Sequence, residues 1–229
     1  MYGGSPVPLG EEGGEGGYRN SLLLTRLART RVSQLLRTYK RQQLGDEHFE
    51  DRSLHLKDLP ILSTNLNGWL TLEARLSQAS HSLHTYWTML QWKREQILEE
   101  EEEEEESQQG EESQQGEESQ QGAPWGGRPA LSIPDSLHHV QLDLRDLVTR
   151  LQALLRCMSG GTVNQTPADM RRISPPRLNH RGNQTVWVTR LEVYVILRDL
   201  DLYLTRTGRD LLFLASRSHG ALLGCPSKP

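Results

Sequence analysis

Side chains able to do chemistry are few in this sequence, and their spacing limits what they could do. His81 and His84 lie three residues apart, and His138 and His139 are adjacent. Residues three apart share a helix face, so the first pair could bind one metal ion from one side. No further ligand at a suitable spacing completes that set, and an exposed polar helix face is the simpler reading. Adjacent histidines point to different sides of a helix. The eight consecutive glutamates Glu99–Glu106 could hold Ca²⁺ only loosely, and a solvated acidic run is the simpler reading there too. The sequence has no G-x-S-x-G, G-x-x-x-x-G-K-[ST], G-x-G-x-x-G or H-E-x-x-H motif. Nor does it have the paired Glu-x-x-His of di-iron bundles. The expectation is a non-enzyme with no cofactor, no metal site and no catalytic residue.

Covalent chemistry has four candidates. Asn164 and Asn183 each begin an Asn-Gln-Thr glycosylation sequon, which matters only if the chain is exported. Cys157 and Cys225 are the only cysteines, too few for a disulfide scaffold or a four-cysteine zinc site. A disulfide between them and two unpaired thiols are both open from sequence.

The 229 residues carry 35% hydrophobic residues and a mean hydropathy of −0.63, too polar for one uniformly packed domain. No apolar run approaches the roughly 18 residues of a membrane span. The net charge of −4 hides a segregation. Residues 1–17 and 99–121 hold fifteen carboxylates and no Lys or Arg, which leaves a net +11 on the remainder. Only Lys40, Lys57, Lys93 and Lys228 are lysines among the 26 basic residues, and arginine suits bidentate contacts at protein interfaces and on polyanions.

Periodicity supplies the elements that must position these residues. Residues 1–17 read as a Gly-rich disordered tail. They lack the basic start and apolar run of a signal peptide, so export would need another route or a precursor with a different start. Leu24, Ala28, Val32, Leu35 and Tyr39 recur at three and four, predicting a first helix from Tyr18 to about Gln43 that Gly45 ends. A second is expected from Trp69 or Thr71 to Leu98, on the stripe Leu72, Leu76, Ala79, Leu83, Tyr86, Trp87 and Leu90, with Thr71 as its cap. Residues 99–133 read as an acidic low-complexity linker, with at most a turn of helix at its start. Pro134 and Asp135 open a third helix through Leu137, Val140, Leu144, Leu147, Leu151, Leu154 and Met158. A fourth runs from about Val186 to Arg217 on Val193, Leu197, Leu200, Leu204, Leu211 and Leu214, although its first third has strong β-propensity. The units are thus 18–98 and 134–219, with a tail at 220–229.

The fold class expected is all-α, a four-helix bundle. Connections of about 25 residues precede the second and fourth helices, long enough to return along a whole helix. Two such crossovers suit the up-up-down-down cytokine topology, with the acidic insert where a short turn would serve. In that topology Cys157 and Cys225 lie near one end of the bundle; in an up-down-up-down bundle they lie at opposite ends.

The segments Trp187–Tyr194 (WVTRLEVY) and Tyr203–Leu214 (YLTRTGRDLLFL) resemble the last helix of the interleukin-6 family of long-chain helical cytokines. Leu142–Leu147, Leu56–Pro60 and Trp69–Leu76 are similar to further segments of that family. The resemblance implies a secreted ligand that assembles a cell-surface receptor complex and triggers JAK/STAT signalling, alone or as the alpha chain of a heterodimer with a soluble receptor-like beta subunit. It implies three receptor-binding epitopes. Arg206, Arg209 and Asp210, at the end of the fourth helix, would meet a non-signalling receptor or that beta subunit. Arg31, Arg37, Asp143 and Asp146, on the first and third helices, would meet a glycoprotein-130-like signalling receptor. Trp187 and Arg190, at the start of the fourth helix, would meet a second signalling receptor. Nucleic acid and membrane insertion are not expected. Two other classes compete: a glycan- or nucleic-acid-binding protein whose acidic insert shields its basic body, and an intracellular helical adaptor.

Overall fold

The computed structural model describes residues 14–60, 71–112, 131–158 and 186–218. Among them are four α-helices and no strand: α1 (Gly14–Tyr39), α2 (Leu72–Glu112), α3 (Ile133–Met158) and α4 (Val186–Ser218). Residues 1–13 and 61–70, the latter including Trp69, the linker from 113 to 130, the connection 159–185 and the tail from 219 onward lie outside the described residues.

Each helix buries most of the stripe its periodicity marked, with Leu24, Ala79, Trp87 and Met158 half-buried. Ala28, Val32, Leu35 and Tyr39 of α1 are buried, as are Leu76, Leu83, Tyr86 and Leu90 of α2. From Leu137 to Leu154, α3 turns six stripe residues inward, and α4 does the same from Val193 to Leu214. The first third of α4 is helical despite its β-branched residues: Val193, Tyr194, Val195, Ile196 and Leu197 are all fully buried, and tertiary packing overrides intrinsic propensity.

The helices form one core with a definite neighbour pattern. α1 packs most closely on α4, and α2 on α3, with α1–α3 and α2–α4 completing the ring. Neither α1 and α2 nor α3 and α4 pack together among the described residues. Named contacts fix the relative directions of three pairs. The Tyr18 hydroxyl near the start of α1 donates to Met158 Sδ at the end of α3, whereas Arg31 reaches Asp143 and the His139 carbonyl nearer its start. On α4, Tyr39 meets Arg190, Ser33 meets Asp201, and Thr25 faces Gly208. On α2, Gln96 meets Thr189, Lys93 meets Glu192, and Arg75 meets Asp210. In each pair, residue numbers rise along one helix as they fall along the other.

Two boundaries, the start of α1 and the end of α2, differ from expectation for physical reasons. α1 begins at Gly14 rather than Tyr18. Gly17 lies so close to α3 that a Cβ there would sit 2.8 Å from Leu154 Cδ2, and Ser21 Oγ donates to its carbonyl. The Gly-rich start therefore includes one position where small size permits close helix approach. α1 then passes into a π-turn, Lys40–Leu44, closed by Gly45 at φ 73°. α2 continues to Glu112, well past Leu98 and into the segment expected as linker. Glutamate is a good helix former, and each like-charge pair four residues apart costs only tenths of a kcal/mol. Elongating a packed helix also escapes the nucleation penalty. Gln91 bonds Glu95, and Gln96 bonds Glu100, which carries the helix into the glutamate run. Repulsion among the carboxylates therefore does not end the helix at Leu98.

Residues 45–60, the described part of the first connection, strap over α4. Phe49 meets the Tyr194 ring edge-on at 5.0 Å between centroids, and Leu56 and Leu59 are buried. Arg198 donates to the Leu54 carbonyl at 2.9 Å and to the Asp51 carbonyl, while pairing with Asp199 at 2.7 Å. Burial opposes its charge, but the Asp199 carboxylate prevails and holds its pKa above the ordinary value.

Candidate functional site

The bundle end where α1 finishes and α4 begins is held by polar contacts inside the core. Lys93 of α2 and Glu192 of α4 form an ion pair with side chains 3% and 1% exposed. Lys93 also donates to Gln96 Oε1 at 2.9 Å, and Gln96 Nε2 donates to Thr189 Oγ1 at 2.9 Å. These four side chains fix the rotation of the first turns of α4. With Thr189 and Glu192 facing inward at 100° per residue, Trp187 lies about 200° from Thr189 and points outward. It is 47% exposed, and Val186 beside it is equally so. Thr71 and Ser132, in contrast, start their helices by conventional capping, accepting from Ala74 N at 3.2 Å and Asp135 N at 3.1 Å.

Arg190 is half-buried beside Trp187. Its Nη1 donates to the Gln43 carbonyl at 3.5 Å, and its own carbonyl accepts from the Tyr39 hydroxyl at 3.2 Å. Burial pushes the Tyr39 phenol far above its ordinary pKa, against the pull of Arg190. Tyr39 is therefore a hydrogen-bond donor at every physiological pH, and it ties the end of α1 to the start of α4.

The other two groups of expected contact residues are partly engaged with the bundle itself. Asp210 pairs with Arg75 of α2 at 3.6 Å, and that guanidinium lies 5.9 Å over the Phe213 ring. Arg206 and Asp210 are spaced to pair along α4, but Asp210 reaches across to α2. Arg206 is half-buried and Arg209 exposed. Leu212 and Phe213 beside them are 52% and 44% exposed, apolar residues the sequence reading did not single out. Arg31 and Asp143 bond each other at 2.6 Å between α1 and α3. Burial raises the Asp143 carboxyl above its usual pKa, against the pull of Arg31. Arg37 is exposed, and Asp146 pairs with its neighbour Arg145 at 3.0 Å.

His84 is half-buried and stacks on Trp87 at 5.7 Å, while His81 is exposed. Burial lowers the His84 pKa, with His81 adding to the effect. Among the described residues, no three His, Cys, Asp or Glu side chains gather as a metal site. None of their helices is long and apolar enough to cross a membrane. Cys157, at the end of α3, is disulfide-bonded. Cys225, Asn164 and Asn183 lie outside the described residues.

The buried Lys93–Glu192 pair escaped the sequence reading, although it had a signal. Lys93 falls three residues after Leu90, on the apolar stripe of α2, and Glu192 sits among core residues of α4. A charge on an apolar stripe asks for a partner on a facing helix. Comparison with protein-family models and with curated proteins returns no match for this chain.

Proposed function

We propose that the chain is an extracellular helical cytokine with up-up-down-down connectivity, which acts without catalysis by bringing receptor chains together. The contact order supports the connectivity: α1 opposes both α3 and α4, and α4 opposes α2. The two pairs left without mutual packing, α1–α2 and α3–α4, are the diagonals of such a bundle. A disulfide at Cys157 suits an oxidising compartment. The interleukin-6 family resemblance supplies the receptor class: a glycoprotein-130-like chain, a second signalling receptor, and a non-signalling receptor or soluble beta subunit. JAK/STAT activation is the expected output.

One observation carries the reading. Trp187 is a large aromatic held outward at a bundle end, on a helix turn whose rotation a buried network fixes. An exposed, rigidly mounted tryptophan beside an arginine has the character of an interface hot spot. Truncating such an anchor costs about 2 kcal/mol or more, roughly thirtyfold in affinity. Trp187→Ala is therefore expected to abolish signalling while the melting temperature and binding to the non-signalling receptor stay near wild type. Loss of stability, or unchanged signalling, would retire the reading.

A further inference from the structure

α1 carries a line of exposed arginines without counterions among the described residues. Arg19, Arg26 and Arg37 are all exposed. Eighteen residues are five full helical turns, so Arg19 and Arg37 share one azimuth about 27 Å apart, with Arg26 within about 20° of the same line. Arg41 extends the line past the end of α1. None of the four guanidiniums makes an ion pair or hydrogen bond among the described residues; Arg26 takes part only through its carbonyl, which accepts from Thr30 Oγ1. The only acid in α1 is Glu15. Two carboxylates on the flanking helices that meet α1 are already engaged, Asp201 by Arg29 and Ser33 and Asp143 by Arg31, while Glu100 of α2 acts on Tyr39 at the end of α1. α2, which carries the glutamate run, does not pack on α1. Between the arginines lie Leu23, Thr30 and Gln34, which are neutral and exposed.

We propose that this edge of α1 binds a linear sulfated glycan. Three exposed guanidiniums strung along one helix, with Arg41 in the π-turn that follows it, match an extended chain of anions, because each can take a sulfate bidentately without a groove. A nucleic acid is disfavoured by the absence of any stacking platform: the two tyrosines of α1, Tyr18 and Tyr39, are buried. Binding at this edge needs no receptor, although its Arg41 end lies near the start of α4, where Arg190 reaches the Gln43 carbonyl. Arg37 alone is shared with the receptor-facing residues expected on α1.

The test uses the full chain, a size-defined heparin oligosaccharide, its desulfated counterpart, single-stranded DNA of equal charge and a polyglutamate peptide. Affinities are measured over a range of NaCl concentrations. The variant is Arg19→Gln/Arg26→Gln/Arg41→Gln. Its control, Lys57→Gln/Arg150→Gln/Arg156→Gln, removes the same charge from other exposed positions. The edge variant is expected to bind heparin about tenfold or more weakly. Its slope of log affinity on log salt should be smaller by about two to three, as for counterion release from a linear polyanion. The control should match wild type, and the three other probes should bind at least about tenfold more weakly than heparin. Equal losses in both variants, DNA or polyglutamate binding as tight as heparin, or no heparin binding at all would each overturn the proposal. Receptor binding is absent from every arm, so this outcome is independent of the cytokine reading.

Discussion

Glu192→Gln is the substitution whose cost the structure specifies best. Glu192 and Lys93 are almost completely excluded from solvent. Removing one charge leaves the Lys93 ammonium buried with only Gln96 Oε1 and a neutral amide to face. Breaking a buried pair in this way costs about 3–5 kcal/mol, most of it desolvation of the remaining charge. For a chain of this size, roughly 2–4 °C are lost per kcal/mol, so the melting temperature should fall by about 6–20 °C. The double substitution Lys93→Met/Glu192→Leu removes both charges and keeps similar volume. It should recover most of that loss, and apolar replacement of such pairs is often neutral or stabilising. Thermal and urea unfolding followed by circular dichroism measure both variants. A Glu192→Gln variant within about 1 kcal/mol of wild type would refute the reasoning. A double variant no better than the single one would also refute it, since the cost would then not be an unpaired charge.

Three further outcomes follow from other elements. Gly45→Ala should cost about 1 kcal/mol from left-handed backbone alone, because no atom lies within 4 Å of the added Cβ; a neutral result in urea unfolding would contradict that. Arg198→Lys should loosen the strap, since a single ammonium cannot reach the Asp51 and Leu54 carbonyls and Asp199 together. Faster proteolytic cleavage within residues 44–60 is expected, and an unchanged cleavage rate would argue against the tether. His84 has a pKa below its ordinary 6.5, so the unfolded chain takes up its proton first as pH falls. Its contribution is fully present above 6.5 and is lost as pH drops through the lowered value. His84→Gln should flatten the dependence of unfolding free energy on pH in that window, and an unchanged slope would exclude His84 as its source.

Much of the bundle was legible because each stripe residue had to be buried somewhere. Leu137, Val140, Leu144, Leu147 and Leu151 could not all face inward on anything but a helix. The extent of the ends was less legible, because it depends on terms that periodicity does not carry. Nothing apolar marks residues 99–112 as helical, yet extension from a packed helix costs little there. Nothing in the sequence near Gly17 reveals that Leu154 approaches it. The surface candidates were legible by type and not by engagement. Trp187 and Arg37 are exposed, whereas Arg31, Asp143 and Asp210 are occupied by partners on other helices. Lys93 and Glu192 were readable only as charges in the wrong place, since which charge answers which depends on the register between α2 and α4.

The central claim is that this bundle assembles receptors through an outward Trp187, and ectodomain binding tests it most directly. Purified cytokine-receptor ectodomains, glycoprotein-130 among them, are titrated against the wild-type chain and Trp187→Ala, with the melting temperature of each protein measured in parallel. The account predicts that the wild-type chain binds at least two ectodomains. It predicts that Trp187→Ala loses one of them by about thirtyfold or more, keeps the other, and melts within a degree or two of wild type. Wild-type binding to no ectodomain, or a Trp187→Ala variant that binds all of them unchanged, would contradict it.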